Sequence, residues 1–167
     1  MHIASMVELR CKADVYIFRA WRYNCMMKDG VERTFHPTGQ VDTEVTYSGG
    51  LPNGVTRQWH PNGVLAAELP VEDGIVEGVA KQWNDKGELL GTYEIRNGCG
   101  IIRNWFSNGC LQGELPLMDG RLTGRQRTWF EDGEFAGEMY WIENQRVSKK
   151  KYLEACKDNQ MLPRYVD

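Results

Sequence analysis

Alternation of apolar and polar positions with a period of two dominates residues 30–144. In residues 54–63, Gly-Val-Thr-Arg-Gln-Trp-His-Pro-Asn-Gly, such a strand points Val55, Arg57 and Trp59 to one face and Thr56, Gln58 and His60 to the other. Pro61-Asn62-Gly63 suits a type I turn followed by a glycine in the left-handed region. A three-residue loop of this kind sets His60 opposite Val64 and Trp59 opposite Leu65. The return strand then lines up Leu65, Ala67, Leu69 and Val71 beside Trp59. Later stretches supply Leu89, Gly91, Tyr93 and Ile95, then Leu111, Gly113, Leu115 and Leu117, then Phe135, Gly137, Met139 and Trp141. The opposite face carries Glu44, Glu68, Glu114 and Glu138 at matching positions, with Thr92 the exception.

The pattern is a repeat. Its aromatic anchors Phe35, Trp59, Trp83, Trp105 and Trp129 are separated by 24, 24, 22 and 24 residues, and Gly39, Gly63, Gly87, Gly109 and Gly133 repeat those steps. Two columns sharing one two-residue deletion identify a stacked, quasi-one-dimensional array. Each return strand leads into a second turn: Gly49-Gly50, Asp73-Gly74, Asn97-Gly98, Asp119-Gly120, then Asn144-Gln145. Short turns at both ends leave no room for helical crossovers, so the strands run antiparallel. The expected architecture is mainly β: an elongated single-layer antiparallel meander of eleven or twelve short strands with a C-terminal capping helix.

Three segments follow. Residues 1–29 read as a degenerate N-terminal β-hairpin or cap, with β-rich runs at 7–11 and 15–23. Residues 30–147 hold five repeats of 22–24 residues. In residues 148–167, Ser148 is a helix N-cap, 149–157 has helix-forming composition, and Asn159 ends the helix before an extended Met161-Leu162-Pro163. Tyr152, Leu153 and Cys156 form its apolar face, expected to cover the last edge strand.

Composition narrows the function classes. A net charge of −3 disfavours general nucleic-acid binding, which depends on neutralising phosphates. The five cysteines, Cys11, Cys25, Cys99, Cys110 and Cys156, include no CxxC pair and share the chain with only three histidines, so they read as free thiols rather than zinc ligands. No apolar run approaches the length of a membrane span, and the N-terminus lacks a signal-peptide pattern, so the expected location is cytoplasmic.

The string Gly-x-x-x-x-Trp-x-x-Asn-Gly-x-Leu-x-x-Glu, followed by a strand and Asp/Asn-Gly-x-x-x-Gly, resembles the MORN-repeat variant of bacterial proteins. Gly54, Trp59, Asn62, Gly63, Leu65, Glu68, Asp73, Gly74 and Gly78 carry the resemblance, which extends over residues 30–147. It implies a β-hairpin array used as a binding surface, and an antitoxin or immunity protein that neutralises a cognate toxin or effector. Relatives in the broader class act as scaffolds, some on phosphoinositide membranes. The Tyr-x-Gly-x-x-x-x-Gly-x-Gly core of those relatives is not intact here.

No catalytic constellation is expected, and no cofactor or metal. His36 and His60 precede Pro37 and Pro61 at equivalent repeat positions, and the glutamates come one per repeat rather than as a facing pair. No glycine-rich loop leads from a strand into a helix as phosphate binding requires. One column stands out: Arg33, Arg57, Lys81, Arg103 and Arg127 lie two residues before each aromatic anchor. The alternation puts them opposite Thr43, Ala67, Gly91, Gly113 and Gly137, small residues that leave room for their stems to lie over the sheet. They read either as intramolecular cation–π partners or as a basic and aromatic ladder offered to a partner. The candidate partner-binding residues are therefore Arg57, Trp59, Lys81, Trp83, Arg103, Trp105, Arg127 and Trp129, with Glu68, Glu114 and Glu138 on the other face. The alternative is a membrane-associated or structural scaffold that binds anionic lipid through the Lys/Arg and Trp face.

Overall fold

A computed structural model describes residues 29–165 of the 167. The runs at 7–11 and 15–23, together with Cys11 and Cys25, lie outside the described residues. The described residues form one open antiparallel sheet and one helix. Its strands are β1 (Gly30–Phe35), β2 (Val41–Ser48), β3 (Leu51–Pro52), β4 (Gly54–Trp59), β5 (Leu65–Glu72), β6 (Ile75–Val76) and β7 (Gly78–Trp83). They continue as β8 (Leu89–Arg96), β9 (Cys99–Trp105), β10 (Leu111–Met118), β11 (Arg121–Leu122), β12 (Gly124–Trp129), β13 (Phe135–Ile142) and β14 (Gln145–Val147). Helix α1 (Lys149–Asp158) follows.

The hydrogen-bonded path is β1-β2-β4-β5-β7-β8-β9-β10-β12-β13-β14, the meander that the turn spacing predicts. The two-residue strands β3, β6 and β11 pair with the ends of β2, β5 and β10. Each is severed from the strand that follows by a glycine at positive φ: Gly54 at 117°, Gly78 at 110° and Gly124 at 130°. The 22-residue unit lacks that interruption, and β9 runs unbroken from Cys99 to Trp105.

Both kinds of turn have the expected chemistry. His60 N–H donates to Val64 O and Gly63 N–H to His60 O, each at 2.8 Å, with Gly63 at φ 82°. At the other end Asp73-Gly74, Asn97-Gly98 and Asp119-Gly120 have both residues at positive φ, as a two-residue hairpin turn requires. The last turn is Glu143-Asn144, at φ 47° and 66°, rather than Asn144-Gln145. Gln145 already pairs with Ile142 in the β13–β14 ladder, which moves the corner back by one residue.

The register holds one correction of consequence. Trp59 pairs with Leu65 as expected, but Gln58 pairs with Ala67 and Arg57 with Glu68, because a β-bulge at Ala66 inserts one extra residue. The same shift recurs in every hairpin, at Asp42, Leu90, Gln112 and Ala136. Arg33, Arg57, Lys81, Arg103 and Arg127 therefore face Glu44, Glu68, Thr92, Glu114 and Glu138, not Thr43, Ala67, Gly91, Gly113 and Gly137. A slip of one residue exchanges the faces of a strand. The basic and acidic columns thus share one face, and Ala67, Leu69, Tyr93 and Ile95 fall on the other.

That second face holds the core. Ala80, Tyr93 and Ile95 are buried, with Leu69, Val76, Ile102, Trp105 and Leu117 packed against them. A separate cluster joins Tyr140, Tyr152, Cys156 and Leu162. It is organised by α1, whose N-cap Ser148 accepts a hydrogen bond from Lys151 N–H at 3.2 Å. The helix lies over Tyr140 of β13, and Val147 of the three-residue edge strand β14 packs against the same cluster. Leu153 is exposed, and Leu162 takes the expected place in the core because the chain turns at Gln160-Met161 instead of running extended. Tyr152 Oη donates to Pro163 O at 2.8 Å, tying the tail back to the helix.

Candidate binding face

The bulge converts two columns into one ladder of alternating charge. Within hairpins it pairs Arg with Glu, and between hairpins Glu44 stands opposite Arg57, Glu68 opposite Lys81, and Glu114 opposite Arg127. Across the sheet the order is Arg33, Glu44, Arg57, Glu68, Lys81, Thr92, Arg103, Glu114, Arg127, Glu138. Arg33 Nε donates to Glu44 Oε2 at 2.7 Å, and Arg57 lies 3.7 Å from Glu44 and 3.1 Å from Glu68. Glu114 accepts from Arg103 Nε at 3.0 Å and from Arg127 Nη2 at 2.6 Å. Glu138 is met by Arg125 at 3.7 Å and by Lys149 of α1 at 3.5 Å.

The arginine side chains are 38–51 % exposed, so most rungs are surface pairs worth about 0–1 kcal/mol each. Glu114 is different, with its side chain 10 % exposed. Burial pushes its pKa up, but the hydrogen bonds and charges of Arg103 and Arg127 together outweigh that and hold it below its ordinary value. Near the C-terminal end of the ladder Tyr140 Oη donates to Glu138 Oε1 at 2.8 Å. Burial first, then that carboxylate, raises the tyrosine's pKa.

Trp59, Trp83, Trp105, Trp129 and Trp141 are all half-buried, but they do not form one uniform row. The Arg127 guanidinium lies 5.4 Å from the Trp129 ring centroid, and Phe135 meets that ring edge-on at 6.1 Å. Trp59 lines a shallow recess of about 470 Å³ with Glu44, Gln40 and Val41. Trp105 departs from the row: its indole turns toward the Ala80, Tyr93 and Ile95 cluster and lies against Gly91. Gln82 holds the Trp105 backbone, its side chain donating to Trp105 O at 3.2 Å and accepting from the Trp105 backbone N–H at 3.4 Å. The histidines have a related task. His36 and His60 Nε2 donate to the carbonyls of Trp59 and Trp83, at 2.8 and 3.0 Å, binding each unit to the next.

A further column flanks the ladder. Two residues before four of the five basic residues stand Val31, Val55, Val79 and Ile101, with Val31, Val79 and Ile101 exposed at 52, 47 and 37 %; before Arg127 the position is Arg125. The period-two pattern was enough to align them, but half-exposed β-branched residues are ordinary strand formers. The anchor Phe35 is exposed as well, as are Leu89, Phe130 and Phe135.

Residues 28–48 and 52–73, about a quarter of the chain, match the family model described as MORN repeat variant. These segments are the first two of the five units, and the later hairpins reproduce their register. Such repeats are in general protein- or membrane-binding modules rather than catalysts. No curated protein and no solved structure matches the chain. Among the described residues no helix is long and apolar enough to cross a membrane, and no three His, Cys, Asp or Glu side chains are grouped to hold a metal ion. Cys99, Cys110 and Cys156 are free thiols.

Proposed function

We propose that this chain is a non-catalytic binding module that docks a protein partner on the ladder face. The observation that carries the reading is the exposed sheet face itself, with alternating Arg and Glu between exposed Val31, Val79 and Ile101 on one side and Phe35 and Leu89 on the other. Mixed charge of this kind sets register and excludes wrong partners more than it attracts any single-sign surface. Most ladder arginines already contact a glutamate, so attraction to an anionic bilayer is weakened and a protein partner is favoured over lipid. In its most specific form the partner is a toxin or effector that the chain neutralises by occlusion, as antitoxin and immunity proteins do.

The test is capture of a stoichiometric partner from the native host by the tagged chain, repeated with Val79→Glu and Ile101→Glu together. These side chains are exposed, so the folded state tolerates the change while an apolar docking surface does not. Loss of the partner with an unchanged melting temperature supports the face, and a toxic activity in the partner supports neutralisation. Undiminished capture removes this face, and binding to phosphatidylserine vesicles without any protein partner replaces the reading with the lipid one.

A further inference from the structure

The charge ladder lacks one rung. At the position occupied by Glu44, Glu68, Glu114 and Glu138 the third hairpin has Thr92, which is exposed. Thr92 pairs with Lys81 in the β7–β8 register. The β8–β9 ladder ends at Ile95–Gly100; continued at the same spacing, as in the Glu44–Arg57 and Glu114–Arg127 pairs of the other units, it would set Thr92 opposite Arg103 on its other side. The gap is thus bounded by two cations. Lys81 is exposed and makes no ion pair within 4.0 Å among the described residues, although Glu68 is its register neighbour across β5. Arg103 shares its single carboxylate, Glu114, with Arg127. The nearest acidic side chain along β8, Glu94, is held by Arg96 at 2.7 Å.

Around this gap the surface is apolar and open: Val79 and Ile101 on one side, Leu89, exposed at 55 %, on the other. We infer that the gap at Thr92 is the specificity point of the face, where an aspartate or glutamate of the protein partner completes the ladder between Lys81 and Arg103. The inference deepens the binding reading above and rests on it. The chemistry is complementary in sign and in size. A carboxylate of the missing kind spans two cations on neighbouring strands, as Glu114 does between Arg103 and Arg127. Thr92 presents a hydroxyl that can donate to it as well. The apolar flanks call for a partner segment in which the acidic residue sits between apolar neighbours, so that the pair is desolvated when the surfaces close.

The experiment uses the full chain and an array of random short peptides, comparing the wild type with Thr92→Glu, which supplies the missing carboxylate from within, and with Thr92→Gln, which fills the space without charge. The expected result is enrichment of peptides with one Asp or Glu between apolar residues, with binding of the best peptide weakened at least about tenfold by Thr92→Glu and much less by Thr92→Gln. Thr92→Glu is also expected to hold or raise the melting temperature, because it restores the repeat's own rung. Should it fail to fold, Lys81→Gln, at an exposed position, must give the same loss. Peptide binding without acidic preference, or with a preference that Thr92→Glu leaves intact, overturns the inference while the binding face stands. Binding of no peptide at all, with the protein partner still captured, overturns it too; loss of both overturns the face itself.

Discussion

Gly91→Ala examines how the third and fourth units are locked together. A Cβ at Gly91 would lie 2.3, 2.4 and 2.8 Å from three carbons of the Trp105 indole. Ordinary carbon contacts are about 3.5–4.0 Å, so the ring must retreat by roughly 1 Å. It has little freedom to do so, since Gln82 holds the Trp105 backbone on both polar atoms and the indole packs on the Ala80, Tyr93 and Ile95 cluster. Gly91 is not in the left-handed region, so alanine introduces no backbone strain and the cost is steric alone. Overpacking of this kind destabilises by about 1–3 kcal/mol. In a chain of this length that lowers the melting temperature by about 2–12 °C. Gly113, at the same place in the next unit, is the control: its nearest neighbour to a new Cβ is a carbonyl oxygen at 3.5 Å, and alanine there is expected to change stability by about 0.5 kcal/mol or less. Urea unfolding followed by far-ultraviolet circular dichroism measures both, and repeating Gly91→Ala in a Trp105→Ala background completes a double-mutant cycle. The reasoning is refuted if Gly91→Ala matches wild type, or if its cost survives removal of the indole.

Four other outcomes are expected. Glu114→Ala leaves two arginines without their shared carboxylate and costs about 1–3 kcal/mol, by the same unfolding assay. Because the folded pKa of Glu114 lies below its ordinary value of 4.5, its contribution is complete above 4.5 and fades as pH falls through the lower folded value; Glu114→Gln should flatten that part of the stability profile. Tyr152→Phe removes the hydrogen bond to Pro163 O and should cost about 0.5–1.5 kcal/mol, seen as faster proteolysis of the tail after α1. Ser148→Ala removes the N-cap and should cost about 1 kcal/mol, with amide exchange accelerated in the first turn of α1.

The period, the turns and the helix cap were legible in the sequence because each is written in local chemistry. Asp73-Gly74 and Pro61-Asn62-Gly63 select their turns through backbone preference alone, and Ser148 caps through its own hydroxyl. The identity of the helix's buried residues was half legible. Tyr152 and Cys156 fit the spacing, but Leu162 displaced Leu153 from the core because a turn beyond the helix brought it back.

The sequence by itself determined a hairpin array with a column of cations, a column of carboxylates and one exception at Thr92. Only the tertiary structure decided that the two columns share a face. The deciding residues are Asp42, Ala66, Leu90, Gln112 and Ala136, four residue types at five places and none of them a glycine that would mark a bulge. Because strand faces alternate with a period of two, that single inserted residue moves every glutamate to the side of the arginines. The same step turns Thr92 from an irregularity in a column into an opening between Lys81 and Arg103.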